Sequence, residues 1–445
     1  MLDAVLCRAA FRELVRPNTS RSNPDSLSLI YTQAPVLHRM HEVPSVSVET
    51  RPAQSAETLL QRAADLVPVL KLRARQAEEL RHIPEETIRD LRDAGLFDIA
   101  TPPRFGGSGH EIDLMFRVAM ELGRGCGSTG WCYSVMSIHN WMVGHWPMAL
   151  QEEYFANGPD TLSSSGFAPV GKLTPVDGGF RLSGHWEFSS GADAGTWALL
   201  GAMGPKGPSF LMLPRPDYEV LQDTWFVSGM RGTGSKDIVV EDAFVPSYRL
   251  CAVADLGPAS GMAAVHQRAS YRVPAMGMLS YTLCSPLVGI AQGAVDNFIE
   301  RYMPTRGPGR TAESAAIQNR LAESSVEVDA ARLIVLHDTQ SIVARAEAGE
   351  MLGDFDAAVY RRNVSYVSRL CMSAVDRLFE ASGARSLHDS DAMQRFHRDV
   401  HAGAHQTALY WDAVAEAYGR AVFGLPPLQP NLPGVNQVRE KGSQP

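Results

Sequence analysis

The chain is predicted to be an α+β protein of three parts: a helical N-terminal domain, a central β-barrel-like domain and a C-terminal four-helix bundle. Two observations carry this. Residues 161–250 are dense in Gly, Pro, Ser, aromatic and β-branched residues, with short alternating runs such as GFRLSGHWEFSS and KDIVVEDAFV between turn signals. On both sides the apolar residues recur at spacings of three and four, which is helical. At 445 residues the chain is also too long for one ordinary core.

In chain order, residues 1–52 are rich in Pro, Ser, Arg and Asn and read as a loosely ordered leader, or as sequence upstream of a start at Met40. The N-terminal helical domain spans 53–160. It opens with a capping signal at Ser55 to Thr58 before SAETLLQRAADLVPVLKLRARQAEELR, continues with PEETIRDLRDAG from Pro84 to Gly95, and then runs EIDLMFRVAMELGR, GCGSTG and WCYSVMSIHNWMVGHW. The β domain spans 161–255. Beyond it, 256–425 holds four long helical stretches at about 277–303, 312–349, 354–382 and 390–422, broken by MPTRGPGR and EASGARS, the pattern of an antiparallel bundle. Residues 426–445 form a Pro-rich tail.

The formal net charge of −8 argues against a nucleic acid or an anionic membrane as partner, since either favours a basic face. Six cysteines lie scattered without a CxxC pair, and the N-terminus carries arginines without an apolar stretch. Together these read as reduced thiols in a cytoplasmic protein. The longest uncharged run, Val273 to Val295, has the length of a membrane span. It contains Ser280, Thr282, Ser285, Pro286 and Gln292, which favours a buried helix.

Three local patterns invite a chemical reading. Gly125, Gly127 and Gly130 form GxGxxG, but a dinucleotide-binding turn needs a strand before the glycines and an amphipathic helix precedes these, so a helix-to-helix turn is expected. His397, His401 and His405 recur every four residues and share a helix face. A metal would need a third ligand, and the sequence offers neither HExxH nor a neighbouring carboxylate; Asp399 and Asp412 point elsewhere by helical phase. No metal is therefore assigned, and solvated or structural histidines and a catalytic imidazole stay open. WEFSSG, Trp186 to Gly191, places an aromatic and two hydroxyls at a strand end.

Taken in order, GRGCGSTGW, DGGFRLSGHWEFSSG, WFVSGMRGTGSKDIVVEDAFVP and RFHRDVHAGAHQ resemble the flavin-dependent monooxygenases of the acyl-CoA dehydrogenase fold, the oxygenase components of two-component aromatic hydroxylases such as 4-hydroxyphenylacetate 3-hydroxylase. The likeness runs from about Ser55 to Leu425. It implies reduced FMN or FAD supplied by a separate NAD(P)H-dependent flavin reductase, O2, an aromatic substrate of phenol type, and a homotetramer. No nicotinamide-binding signature is present in the chain, in keeping with reduction on another protein.

The chemistry implied is formation of a C4a-hydroperoxyflavin, protection of that adduct from water, and activation of a phenol. By motif position the resemblance gives the base to His405, with His401 as the neighbouring alternative, since an imidazole poised near neutrality suits phenol deprotonation. Ser190, or its neighbour Ser189, would hold the flavin N5 proton, and His139 would line the substrate pocket. Trp186, Phe188 and Trp131 would form apolar walls, Gly191 would admit the ring closely, and Arg306, with Arg310, would meet phosphate. Acyl-CoA dehydrogenases of this fold carry a carboxylate base soon after an Arg-Asp pair on the last long helix. Here Arg398 and Asp399 supply the pair, but no Asp or Glu occurs from Val400 to Trp411, and Thr407 falls near the expected place. An acyl-CoA dehydrogenase or oxidase, and a non-catalytic flavin-fold partner subunit, are the competing readings.

Overall fold

Helix α1 (Ala56–Leu80) starts where the side chain of Ser55 accepts the backbone N–H of Thr58. This is an ordinary N-cap. The structure, a computed structural model, describes residues 54–303 and 311–426. Helix α2 (Glu85–Asp93) follows, with Pro84 at its N-cap rather than inside its first turn. Helices α3 (Asp113–Gly125) and α4 (Gly127–Val143) are separated by Cys126 alone, and α5 (Met148–Tyr154) leads to the sheet. Almost every residue of α4 is buried, so its weakly amphipathic sequence reflects packing on all sides.

The strands are β1 (Ser163–Val176), β2 (Gly179–Ser189), β3 (Trp197–Gly204), β4 (Gly207–Pro214), β5 (Glu219–Leu221), β6 (Lys236–Pro246) and β7 (Leu250–Ala252). They form one mixed sheet in the order β5-β6-β2-β1-β3-β4-β7. Strand β1 serves both halves: its first residues run parallel to β3, its last pair antiparallel with β2, and the register shifts between Gly166 and Gly171. Trp186 fills this bend. Side chains at Gly166, Gly171 or Gly184 would collide with its indole, whose Nε1 donates to the carbonyls of Ala168 (3.1 Å) and Gly201 (2.9 Å).

After the short α6 (Met262–His266), helices α7 (Ala275–Tyr302), α8 (Ala315–Glu347), α9 (Asp354–Ala381), α10 (Ala392–Ala404) and α11 (Trp411–Val422) complete the described chain. One expectation is corrected here. The single last helix is two, because the chain leaves helical geometry after His405 and the Gln406 side chain caps a short 3-10 turn through the N–H of Ala408. The N-terminal helices and the bundle also share one apolar core. Helix α7 is long and apolar enough to cross a membrane, yet 89% of its most apolar window is buried within the protein.

Glycine makes the shared core possible. A Cβ on Gly123 would stand 2.8 Å from the Pro286 carbonyl, and one on Gly289 would stand 2.2 Å from that of Met120, so α3 and α7 touch backbone to backbone. Gly130 lies against Gly123 in the same way. The GxGxxG glycines are thus the helix-to-helix turn expected of them, selected by close packing.

The turn from Val227 to Ser235 is clamped between α1 and α10. Arg398 donates to the Ser228 carbonyl (2.6 Å) and to Glu78 of α1 (2.7 Å), while Asp399 accepts the N–H of Met230 at 2.6 Å. Gly229 fits only without a side chain, since a Cβ there would meet the Arg398 carbonyl at 2.0 Å. Burial raises the Asp399 carboxyl to about 6, against the opposing pull of the Met230 N–H.

Replacing Gly289 with Ala is expected to cost roughly 1–3 kcal/mol, because backbone must move to admit the methyl; denaturant unfolding reads it. Folding favours protonated Asp399, so that stabilisation is complete below the ordinary value of 3.8 and is lost as pH rises through about 6. Wild type should therefore gain stability relative to Asp399→Asn as pH falls from 8 to 5, by roughly 1–1.5 kcal/mol, about half of the full difference reached below pH 3.8. A pH-independent difference would contradict the burial account.

Candidate flavin and substrate site

Strand β2 ends in a bulge. Its pairing with β6 shifts between Trp186 and Ser189, and Phe188 takes a φ of 64°. That left-handed backbone at a non-glycine residue turns its ring outward, 67% exposed and edge-on to Trp225 at 6.1 Å. Phe226, with Arg81 over its ring, is exposed beside Trp225. The following turn is pinned by buried Lys236, whose Nζ donates to Asp193 (2.7 Å) and Gln222 (2.6 Å).

Ser190 stands at the head of that turn, where three elements meet it. Trp131 of α4 donates its indole N–H to Ser190 Oγ at 3.1 Å. Ser190 Oγ also lies 2.7 Å from Ser235 Oγ, itself 2.7 Å from Thr233 Oγ1, and Thr233 donates to the Met230 carbonyl at 2.8 Å. Each hydroxyl has one proton. Thr233 spends its proton on a carbonyl, so Ser235 must donate to Thr233 and Ser190 to Ser235. Ser190 therefore has a lone pair left and no proton, which makes it an acceptor toward whatever binds beside it.

The expected site residues fall in different surroundings. Trp131 is more than an apolar wall: it orients Ser190, and its ring lies 3.2 Å from where a Cβ on Gly403 of α10 would stand. Trp186 is corrected from pocket wall to core, being 1% exposed inside the sheet. Gly191 is needed for another reason than ring approach, since with φ 73° its Cβ would stand 2.4 Å from Met136 Sδ. Ser189 is wholly buried and its Oγ lacks a partner among the described residues. Arg306 and Arg310 lie outside the described residues. A cavity of about 590 Å³ between the ends of α7 and α9 carries Arg301 and Arg385, and Arg301 is already paired with Asp391.

His139 is fully buried on α4, about 12 Å along the axis from Trp131. Its Nδ1 lies 2.8 Å from the Ser163 carbonyl, which can only accept, so the proton sits on Nδ1 and Nε2 is a bare acceptor without a partner among the described residues. Burial lowers its pKa to about 4, which keeps the ring neutral at ordinary pH. His405 caps α10 and is exposed; its Nδ1 is likewise committed to a carbonyl, that of His401, at 2.7 Å, and its Nε2 has no partner among the described residues. His401 is corrected as the alternative base, because its Nε2 is engaged with Asp376 of α9 at 2.7 Å. Hydrogen bonding to Asp376 raises the His401 pKa despite burial.

Sequence reasoning missed Thr233, Ser235 and Met230, whose roles arise only when the turn is folded against β2. The dense glycines of SGMRGTGS were their one visible signal. A reduced flavin fits what is present: Phe188 offers an exposed ring face, Ser190 an acceptor for an N–H at the flavin edge, and Ser189 Oγ and His139 Nε2 two buried polar atoms wanting partners.

Comparison with known proteins points the same way. Residues 56–155 match the acyl-CoA dehydrogenase N-terminal domain and residues 281–410 the acyl-CoA dehydrogenase C-terminal domain. The chain is 33% identical over 391 residues to the flavin-dependent monooxygenase oxygenase subunit HsaA of Mycobacterium tuberculosis, covering 86% of this chain and 98% of that one. It is 34% identical over 398 residues to the oxygenase component of FADH(2)-dependent resorcinol hydroxylase from Rhizobium sp., covering 85% and 97%. The crystal structure of the M. tuberculosis HsaA monooxygenase superposes with a TM-score of 0.80 at 33% identity, over 84% of this chain and 99% of that one. A structure of XiaF from Streptomyces sp. in complex with FADH2 and glycerol superposes at 0.77 with 27% identity, over 84% and 97%. At that identity and coverage, and with its apolar core and proton-ordered serine in the corresponding fold, the chain belongs to the flavin-dependent monooxygenases of the acyl-CoA dehydrogenase fold, as an oxygenase component.

Proposed function

We propose that this protein hydroxylates an aromatic substrate of phenol type, using reduced FMN or FAD delivered by a separate NAD(P)H-dependent flavin reductase. The observation that carries the residue assignment is the fixed polarity of the site: Ser190 can only accept, and His139 and His405 each present a bare Nε2. Reduced flavin supplies the electron pair that activates O2, so that one oxygen atom enters the substrate and the other leaves as water.

The protein's part is binding, orientation and proton placement. Phe188 would hold the flavin ring, and Ser190 Oγ, which can only accept, would hold a proton at the flavin N5. Trp131, Met230 and the Gly403 backbone exclude water from the same side. His139, neutral and buried, accepts from a polar group of the substrate, and His405 Nε2 takes the phenol proton as the ring is attacked. Asp399 is buried and one of its oxygens holds the Met230 N–H, which gives it a structural part in the turn. The names of the relatives support an aromatic substrate: resorcinol hydroxylase above, and a p-hydroxyphenylacetate 3-hydroxylase oxygenase component from Acinetobacter baumannii at 29% identity over 388 residues. The proposal includes a cytoplasmic homotetramer, to which the exposed Val326, Leu333, Phe355 and Phe423 on or just past α8, α9 and α11 lend apolar surface.

Mixing protein and reduced FMN with oxygenated buffer should delay flavin reoxidation relative to free flavin, and a panel of phenols including resorcinol should yield hydroxylated product. Immediate reoxidation with all oxygen recovered as hydrogen peroxide, or anaerobic flavin reduction by an acyl thioester, would overturn the reading. His405→Ala is expected to retain the delay and lose roughly 100-fold or more in hydroxylation rate at pH 7, with recovery as pH approaches that of phenol ionisation. Ser235→Ala frees the Ser190 proton. It should bind flavin but divert severalfold more oxygen to peroxide, measured by catalase-coupled oxygen uptake; unchanged coupling would refute the proton order.

A further inference from the structure

Helices α9 and α10 bring together three side chains that the flavin site does not use. Asp376 Oδ1 lies 2.7 Å from His401 Nε2 and 3.2 Å from His397 Nε2, and the donor atoms of the three all fall within 4.8 Å of one another. His397 and His401 are one turn apart, with ring centroids 4.7 Å from each other. His397 is stacked on Phe379 of α9 at 4.3 Å, which sets the plane of its ring.

We propose that Asp376, His397 and His401 form a binding site for a divalent transition ion of the Zn2+ class. Ligand atoms about 2.0–2.1 Å from such an ion stand roughly 2.9–3.4 Å from one another, depending on coordination number. The two measured spacings, 2.7 and 3.2 Å, are close to the edges of that polyhedron. Both imidazoles aim Nε2 at a single point, now taken by the carboxylate oxygen, and the aspartate need retreat only by about one metal–oxygen bond to admit the ion. Two nitrogens and one carboxylate oxygen select Zn2+, Co2+ or Ni2+ over Mg2+ and Ca2+, which take oxygen ligands. The side chains are between a third and a half exposed, which leaves an entry path and an outer position for water. The sequence shows the His397–His401 pair but not the third ligand, which lies 21 residues earlier than His397 on another helix.

A bound ion would staple α10 to α9 one turn before His405, whose Nδ1 is held by the His401 carbonyl. The inference does not depend on the flavin chemistry, since no residue of the triad is assigned a part in it. Titrating untagged, chelator-stripped protein with Co2+ should produce visible d–d absorption saturating at one ion per chain, and Zn2+ should abolish it by competition. Zn2+, but not Mg2+, should raise the thermal midpoint. Asp376→Asn and His397→Ala, each confirmed folded by circular dichroism, should weaken Co2+ binding at least about tenfold. Absence of Co2+ absorption in the wild type, equal binding by folded variants, or an equal thermal shift with Mg2+ would each overturn the proposal.

Discussion

Arg398 and Asp399 fasten the site together. Through them α10 grips the turn from Val227 to Ser235, and that turn supplies the hydroxyls that orient Ser190 at the end of β2. A buried carboxylate costs free energy unless satisfied, and here one backbone N–H and nearby guanidinium groups offset part of that cost. The arrangement makes the turn a rigid member of three elements at once. Without it, Thr233 and Ser235 would be loop residues free to exchange partners with water, and the proton order at Ser190 would have no origin.

The same pair explains how a dehydrogenase scaffold comes to serve oxygen chemistry. One oxygen of the buried Asp399 carboxylate holds the Met230 N–H, and the residues after it provide imidazole where a catalytic carboxylate would be expected. The helix breaks after His405, leaving that ring at a solvent-facing terminus with one nitrogen committed and the other free. His139 differs in kind: buried, neutral and fixed against β1, it can recognise a donor but is a poor store for a proton.

Much of the fold was legible because periodicity is a local property: the N-cap at Ser55, the helical stretches and the β segment each announce themselves within a window of a dozen residues. The errors lie where meaning depends on a partner distant in sequence. Trp186 looks like a pocket aromatic until three glycines from β1 and β2 are seen to make room for it inside the sheet. His401 looks like a spare base until Asp376 arrives from another helix. The break in the last helix is carried by Gln406 capping its own neighbour, a side-chain choice that apolar spacing does not register. The polarity of Ser190 could not be read at all, since it follows from counting protons along a chain of contacts spanning β2, the turn and α4.

That polarity bears on the traffic of the cofactor between two proteins. On the proposed function, reduced flavin presents an N–H to Ser190, whereas oxidised flavin presents a bare nitrogen to an oxygen that has no proton to offer. Reversing the hydroxyl chain would require Thr233 to abandon the Met230 carbonyl. A buried acceptor left facing another acceptor costs about 1–3 kcal/mol, which is roughly a ten- to hundredfold difference in affinity. On the proposed function the pocket would discriminate between fresh and spent carrier without moving: it would retain the form that arrives loaded with electrons and release the form that must return to be recharged.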